Sequence, residues 1–152
     1  MSESIERVVG FDISDRRIEV CVIAMDDGRV LRREKLATER AAVEEWLSRT
    51  QRSRIVMETG THAPWIARAA QAAGHEAAVM DARRVKLITQ SSRKTDRRDA
   101  QMLARIGRSE LDLACPVRVR SRRAQQVRGM LRLRDALVAS RSKQINVLRG
   151  VT

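Results

Sequence analysis

Apolar residues come in short runs along the first eighty positions, and the runs have the length and rhythm of strands. Residues 7–13 (Arg-Val-Val-Gly-Phe-Asp-Ile) are mostly apolar, and residues 17–24 (Arg-Ile-Glu-Val-Cys-Val-Ile-Ala) alternate well enough to make a second strand. Asp26-Asp27-Gly28 supplies a tight turn into a third, about 29–37, so the chain opens as an antiparallel meander. Thr38 stands where it would cap a helix running through Ala41, Val43, Trp46 and Leu47. Residues 53–58 (Ser-Arg-Ile-Val-Met-Glu) read as a short buried strand ending on a carboxylate. Pro64 falls in the first turn of an alanine-rich helix that stops at Gly74, residues 75–80 make a fifth strand, and a basic helix follows near 82–89.

Helical spacing takes over in the second half. A polar connector, Gln90 to Lys94, leads to a helix from about Thr95 to Ile106, and Pro116 breaks the chain again. From about Ser121 to Leu148 the pattern is one long helix. Val127, Leu131, Val138, Ile145 and Leu148 fall on heptad positions, Met130, Leu133 and Leu137 widen the stripe, and Arg134 and Arg141 interrupt it. This is an imperfect coiled-coil seam, and it predicts a homo-oligomer held through the helix.

Three meandering strands followed by helix, strand, helix, strand and helix is the element order of a ribonuclease-H-like α/β core. The expected architecture is a mixed five-stranded sheet with flanking helices, followed by a long C-terminal helix. The expected division is a domain over 1–115 and a linker or coiled-coil helix over 116–152.

Composition narrows the partners. Hydrophobic residues make up 43% of the chain, enough for a packed core and against wholesale disorder. The apolar runs are far shorter than a membrane span requires, and the polar start gives no secretory signal, so a cytoplasmic protein is expected. Cys21 and Cys115 have no metal-ligand spacing and read as small buried hydrophobes. Charge is more telling once divided. Residues 1–82 carry 12 Lys/Arg against 14 Asp/Glu, a net −2; residues 83–152 carry 19 against 5, a net +14 and nearly all arginine. Clustered guanidinium forks match phosphate oxygens, which points to nucleic acid. Aromatics at 2% and no tyrosine argue against stacking of bases on an aromatic platform.

Four acids stand out against this background. Asp12 interrupts the first strand between Phe11 and Ile13, where a lone buried carboxylate would be costly. Glu58 ends the fourth strand, just before a Thr59-Gly60 turn. Asp96 and Asp99, three apart, project from one helix face. Carboxylates are the hard oxygen ligands that Mg²⁺ requires, and two such ions about 4 Å apart clamp the attacking and leaving oxygens of a phosphodiester displacement. Lys94, Arg97 and Arg98 flank the aspartates, positioned to hold backbone phosphates or to offset carboxylate repulsion. Taken singly, each acid also fits an ordinary turn, cap or solvated helix face.

Longer strings of residues carry a resemblance. Val9-Gly10-Phe11-Asp12-Ile13-Ser14, then Met57-Glu58-Thr59-Gly60-Thr61-His62-Ala63-Pro64-Trp65, then Ala82 to Ile88 with Arg93-Lys94-Thr95-Asp96-Arg97-Arg98-Asp99-Ala100, resemble in order and interval the motifs of the DEDD transposases, RuvC-like insertion-sequence recombinases. The resemblance implies a RuvC-like domain in which Asp12, Glu58, Asp96 and Asp99 are catalytic and bind Mg²⁺, with Mn²⁺ as the alternative ion. It implies DNA as a partner, in some members a structured guide RNA, cleavage and exchange of DNA strands in transposition, and a bacterial, nucleoid-associated location. Full-length members carry a further C-terminal domain with a DNA-attacking serine, expected to be absent from this chain, which stops at Thr152. Where many members have a lysine soon after the first aspartate, this chain has Asp15. Ser14, Ser91, Ser92 and Ser142 have no evident base beside them in sequence and are not assigned as nucleophiles.

The expected phosphate contacts are Arg83, Arg84, Lys86, Arg93, Lys94, Arg97 and Arg98 around the acids, with Arg118, Arg120, Arg122 and Arg123 as a second patch. The competing reading is a non-catalytic nucleic-acid-binding fragment of a truncated transposase. An actin-like kinase also begins Gly-x-Asp, but it needs glycine soon after the aspartate, where this chain has Ile13-Ser14-Asp15-Arg16.

Overall fold

Strands β1 (Arg7–Ile13), β2 (Arg17–Ala24) and β3 (Val30–Ala37) form the antiparallel meander. Strands β4 (Arg54–Glu58) and β5 (Glu76–Met80) add in parallel on the far side of β1, giving one mixed sheet in the order β3-β2-β1-β4-β5. The computed structural model describes residues 4–88, 96–109 and 116–150. Its helices are α1 (Arg40–Arg49), α2 (Ala63–Ala72), α3 (Ala82–Ile88), α4 (Asp96–Ser109) and α5 (Arg122–Arg149). By its internal contacts the chain divides into two units, Met1–Val119 and Arg120–Thr152.

The central strands are apolar at consecutive positions because both faces of the sheet are covered. On one face Val9, Phe11, Ile18, Val20, Val22, Ile55 and Met57 pack against Val43, Trp46 and Leu47 of α1 and Ile66, Ala67 and Ala70 of α2. Phe11 and Trp46 meet edge to face, with ring centroids 5.3 Å apart. On the other face Val8, Cys21, Ile23, Val56, Ala78 and Met80 lie with Val85 of α3 and with Ala100, Leu103, Ala104 and Ile106 of α4. The edge strand β3 is mostly exposed and carries Arg32, Arg33, Glu34 and Lys35, a charged edge that discourages further strand pairing.

Local chemistry explains the boundaries. Gly28 adopts φ 72° in the β2–β3 turn, and the Asp27 carboxylate accepts from the Arg29 amide at 2.8 Å. Helix α2 stops at Gly74, whose φ of 86° is the left-handed conformation that ends helices. One expected cap is corrected. Glu39, not Thr38, is the N-cap of α1 and makes no side-chain cap bond, whereas the Thr38 hydroxyl donates to the Ser14 carbonyl at 2.8 Å and ties β3 to the β1–β2 turn.

A buried histidine joins three elements. The His75 Nδ1 accepts from the Ser53 amide at 3.2 Å, so its ring proton lies on Nε2, which donates to the Leu47 carbonyl at 2.9 Å. The end of α1 and the starts of β4 and β5 are thereby tied together.

The second unit is dominated by α5, 28 residues long and capped by the Ser121 hydroxyl, which accepts from the Ala124 amide at 3.2 Å. Taken by itself, the helix buries none of its side chains. Val127, Met130, Leu131, Leu133, Leu137, Val138, Val147 and Leu148 are all exposed, and Ile145 is half-buried.

Candidate functional site

The C-terminal ends of β1 and β4 lie side by side. Their parallel register pairs Val9 with Ile55, Gly10 with Val56 and Phe11 with Met57, so one step further brings Asp12 level with Glu58. Side chains alternate along a strand. Phe11 and Met57 enter the core under α1 and α2, whereas Val8, Val56 and Met80, the β5 partner of Glu58, lie under α3 and α4. Asp12 and Glu58 therefore share the α4 face of the sheet, and both are half-buried.

Helix α4 crosses this face with its backbone against β1. A Cβ built on Gly10 would overlap the Ala100 carbonyl oxygen and stand 2.7 Å from the Ala104 nitrogen. A Cβ on Gly107 would overlap Val56 and stand 3.1 Å from Val8 Cγ1. Ala100 thus lies over the middle of β1 and Gly107 over its beginning, so the helix runs antiparallel to the strand and starts at the Asp12 end. From Ala100 back to Asp96 a helix rises about 6 Å, and from Gly10 to Asp12 a strand advances about 6.6 Å. The backbone at the start of α4 is therefore level with Asp12.

Polar contacts fix the helix along its axis. Arg54 donates to the Gly107 carbonyl at 2.9 Å and pairs with Glu76 at 2.9 Å. Arg108 donates to the Met25 and Asp26 carbonyls at 3.0 and 2.6 Å. Arg33 on β3 donates to the Gln101 side chain at 2.7 Å. None of these three arginines was singled out by sequence reasoning, which weighed basic residues as phosphate ligands or as counter-charges to the acids. The small residues Gly10, Ala100, Ala104 and Gly107 were the available signal for a close helix–strand approach.

Asp99 is half-buried on α4. The side chain of Asp96 lies outside the described residues. Among those described, no group of three or more His, Cys, Asp or Glu side chains is arranged to hold a metal ion. Asp12 and Glu58 are brought together by the sheet, and among the described residues no third acid joins them in a group arranged to hold an ion.

The surroundings of the pair are polar. Asp15, the departure from the family pattern, is 96% exposed in its side chain and stands 3.4 Å from His62 Nε2. The Trp65 indole donates to His62 Nδ1 at 3.3 Å, which leaves the ring proton on Nε2, facing Asp15. The Ser14 hydroxyl donates to the Arg17 carbonyl at 2.7 Å and is occupied in the turn. Burial pushes the Cys21 thiol up from its ordinary value.

Of the expected phosphate ligands, Arg83, Arg84 and Arg118 are exposed on the first unit, and Arg120, Arg122 and Arg123 are exposed on the second. Arg93 and Lys94, and the side chains of Lys86, Arg97 and Arg98, lie outside the described residues. Among the described residues no helix is long and apolar enough to cross a membrane.

Residues 9–151 match the family model of the DEDD transposases of the IS110 type, described as transposase. The chain belongs to this transposase family. The transposase chain is also similar in structure to T. thermophilus RuvC, solved in complex with a Holliday junction substrate. That match has a TM-score of 0.50 and 17% sequence identity, and covers 73% of the transposase chain and 99% of the RuvC chain. The fold is therefore RuvC-like, in the ribonuclease-H-like class expected from the element order. No curated protein matches the transposase sequence.

Proposed function

We propose that the first unit is the metal-dependent strand-cleaving domain of the transposase, acting on DNA in transposition through Asp12, Glu58, Asp96 and Asp99. The observation that carries the reading is the pairing of Asp12 and Glu58 at the ends of two adjacent parallel strands, on the face where α4 begins. The donor chemistry fits a hard divalent cation, because these acids present only carboxylate oxygens and no thiolate or imidazole competes in the set. Mg²⁺ or Mn²⁺ would be held by these four acids and would supply charge neutralisation at a phosphodiester and activation of an attacking oxygen.

The chain's own contribution is position. Strand pairing holds Asp12 and Glu58 at a fixed spacing, and the Gly10–Ala100 approach sets the height at which α4 delivers Asp96 and Asp99. Arg83 and Arg84, with Lys86, Arg93, Lys94, Arg97 and Arg98, would hold the backbone phosphates of the strand to be cut. A structured guide RNA is a second nucleic-acid partner for the same arginines, and the apolar face of α5 supports a homo-oligomer.

The test is thermal unfolding with and without Mn²⁺. A ligand that binds only the folded state at about 100 times its Kd adds about 2.7 kcal/mol of stability. The wild-type chain should gain this kind of stabilisation and Asp12→Asn should lose it while keeping its circular dichroism. Equal stabilisation of both proteins would place the ion elsewhere and remove the reading.

A second reading is supported by the net +14 of residues 83–152: the chain binds nucleic acid without cutting it. Metal-dependent nicking by residues 1–152, abolished by Asp12→Asn, would exclude it.

A further inference from the structure

We infer that Glu19 is a positioning residue of the proposed cation site, a buried acid held beside Asp12 by Lys35; the inference rests on the tetrad reading above. Glu19 is the register partner of Asp12 across the β1–β2 pair, and Lys35 is the register partner of Glu19 across the β2–β3 pair. Alternation puts Glu19 on the same face as Cys21 and Ile23, which pack under α4 with Val8 and Val56. Directly paired residues on one face have Cβ atoms roughly 4.5–5.5 Å apart. Lys35, Glu19, Asp12 and Glu58 therefore form one charged row across four adjacent strands, at the end of the sheet where α4 begins.

The burial of Glu19 makes this more than a surface row. Its side chain is 9% exposed, and the Lys35 ammonium lies 2.9 Å from its Oε1, with the Arg17 guanidinium further off at 3.8 Å. A carboxylate kept from water must be compensated, and one kept next to a second carboxylate adds to the repulsion that a cation relieves. Lys35 provides the compensation from β3, across Glu19 from Asp12, and Arg17 adds to it from β2 itself. Glu19 then adds fixed negative potential at Asp12 and draws a divalent ion there without being among its four proposed ligands. Alternation of β2 would otherwise place an apolar residue at this position, like Cys21 and Ile23 further along the same face.

The measurement is the Mn²⁺ concentration giving half-maximal thermal stabilisation of the full 152-residue chain, in wild type, Asp12→Asn, Glu19→Gln and Lys35→Gln. Removing a full charge at this range from a divalent ion weakens its binding about tenfold. Glu19→Gln should raise the half-maximal concentration by about that factor, and Lys35→Gln should lower it about threefold, because a compensating cation is lost. The opposite signs separate an electrostatic role from a structural one. Both variants melting lower without metal, yet keeping the wild-type half-maximal concentration, would overturn the inference while leaving the tetrad intact. Lys35→Gln leaves the Glu19 side chain in place and reads the same field if Glu19→Gln does not fold. Wild type and Asp12→Asn responding alike to Mn²⁺ would instead remove the tetrad reading, and this inference with it.

Discussion

Gly10 of β1 lies so close beneath Ala100 of α4 that a single added methyl group would overlap the Ala100 carbonyl oxygen. The obstacle is helix backbone, not a side chain that could swing away. Gly10→Ala must therefore lift α4 from the sheet, at about 1–3 kcal/mol for overpacking of this kind. Because Asp96 and Asp99 ride on the same helix, stabilisation by Mn²⁺ should fall as well. Urea unfolding measures the first effect and metal-dependent melting the second; a Gly10→Ala protein with wild-type values of both would show that the helix height is irrelevant.

His75 should matter to stability and not to nucleic-acid binding. Both of its ring nitrogens are bonded to backbone groups, Ser53 N–H and Leu47 C=O, in a setting only 5% exposed. His75→Ala strands both groups, each at about 1–3 kcal/mol when buried without a partner. The expected result is a drop in the urea midpoint with unchanged DNA affinity in the protein that remains folded. A loss of unfolding free energy under about 0.5 kcal/mol, the size of an ordinary surface change, would contradict the assigned role.

The exposed face of α5 predicts self-association. Leu131 and Val138 are 54% and 51% exposed on a helix that buries nothing of its own. An apolar stripe of this length is usually covered by a partner helix. Replacing both with Glu should move the sedimenting species towards monomer. A wild-type chain that is already monomeric at high concentration would refute the expectation.

Arg122 and Arg123 are exposed at the start of α5, where phosphate contact would release counterions. The logarithm of the DNA affinity should fall linearly with log salt, at a slope of about −0.9 for each phosphate neutralised. Changing both arginines to Ala should weaken binding to all sequences alike and make that slope shallower. Competition by a structured RNA at equal salt separates an RNA partner from duplex DNA. Unchanged affinity and slope in the double variant would leave these arginines as solvated surface.

Much of this architecture could be read from residue order alone. Period-two and continuous apolar runs gave all five strands to within a residue, because the side of the sheet a residue faces is a local property of an extended chain. Gly28 and Gly74 marked their turns because a positive φ is a local demand that glycine meets at least cost. The family motifs, too, are linear strings, and they were sufficient to identify a transposase. The cap of α1 was misplaced by one residue, since the Thr38 hydroxyl found a carbonyl 24 positions away that no local rule anticipates.

Whatever depended on partners distant in sequence was decided by tertiary structure. Asp12 and Glu58 are 46 positions apart, and only the parallel pairing of β1 with β4 sets them side by side. Arg54 and Arg108 looked like any other arginines until folding aimed them at the Gly107, Met25 and Asp26 carbonyls, and His75 looked unremarkable until two buried backbone groups closed on its ring. Glu19 read as the polar member of an alternating strand, yet the stacking of β3, β2 and β1 buries it between Lys35 and Asp12. The physical reason is the same in each case. Propensity and periodicity act over a few residues, whereas burial and electrostatic pairing arise only when strands far apart in the chain are brought within a few ångströms of each other.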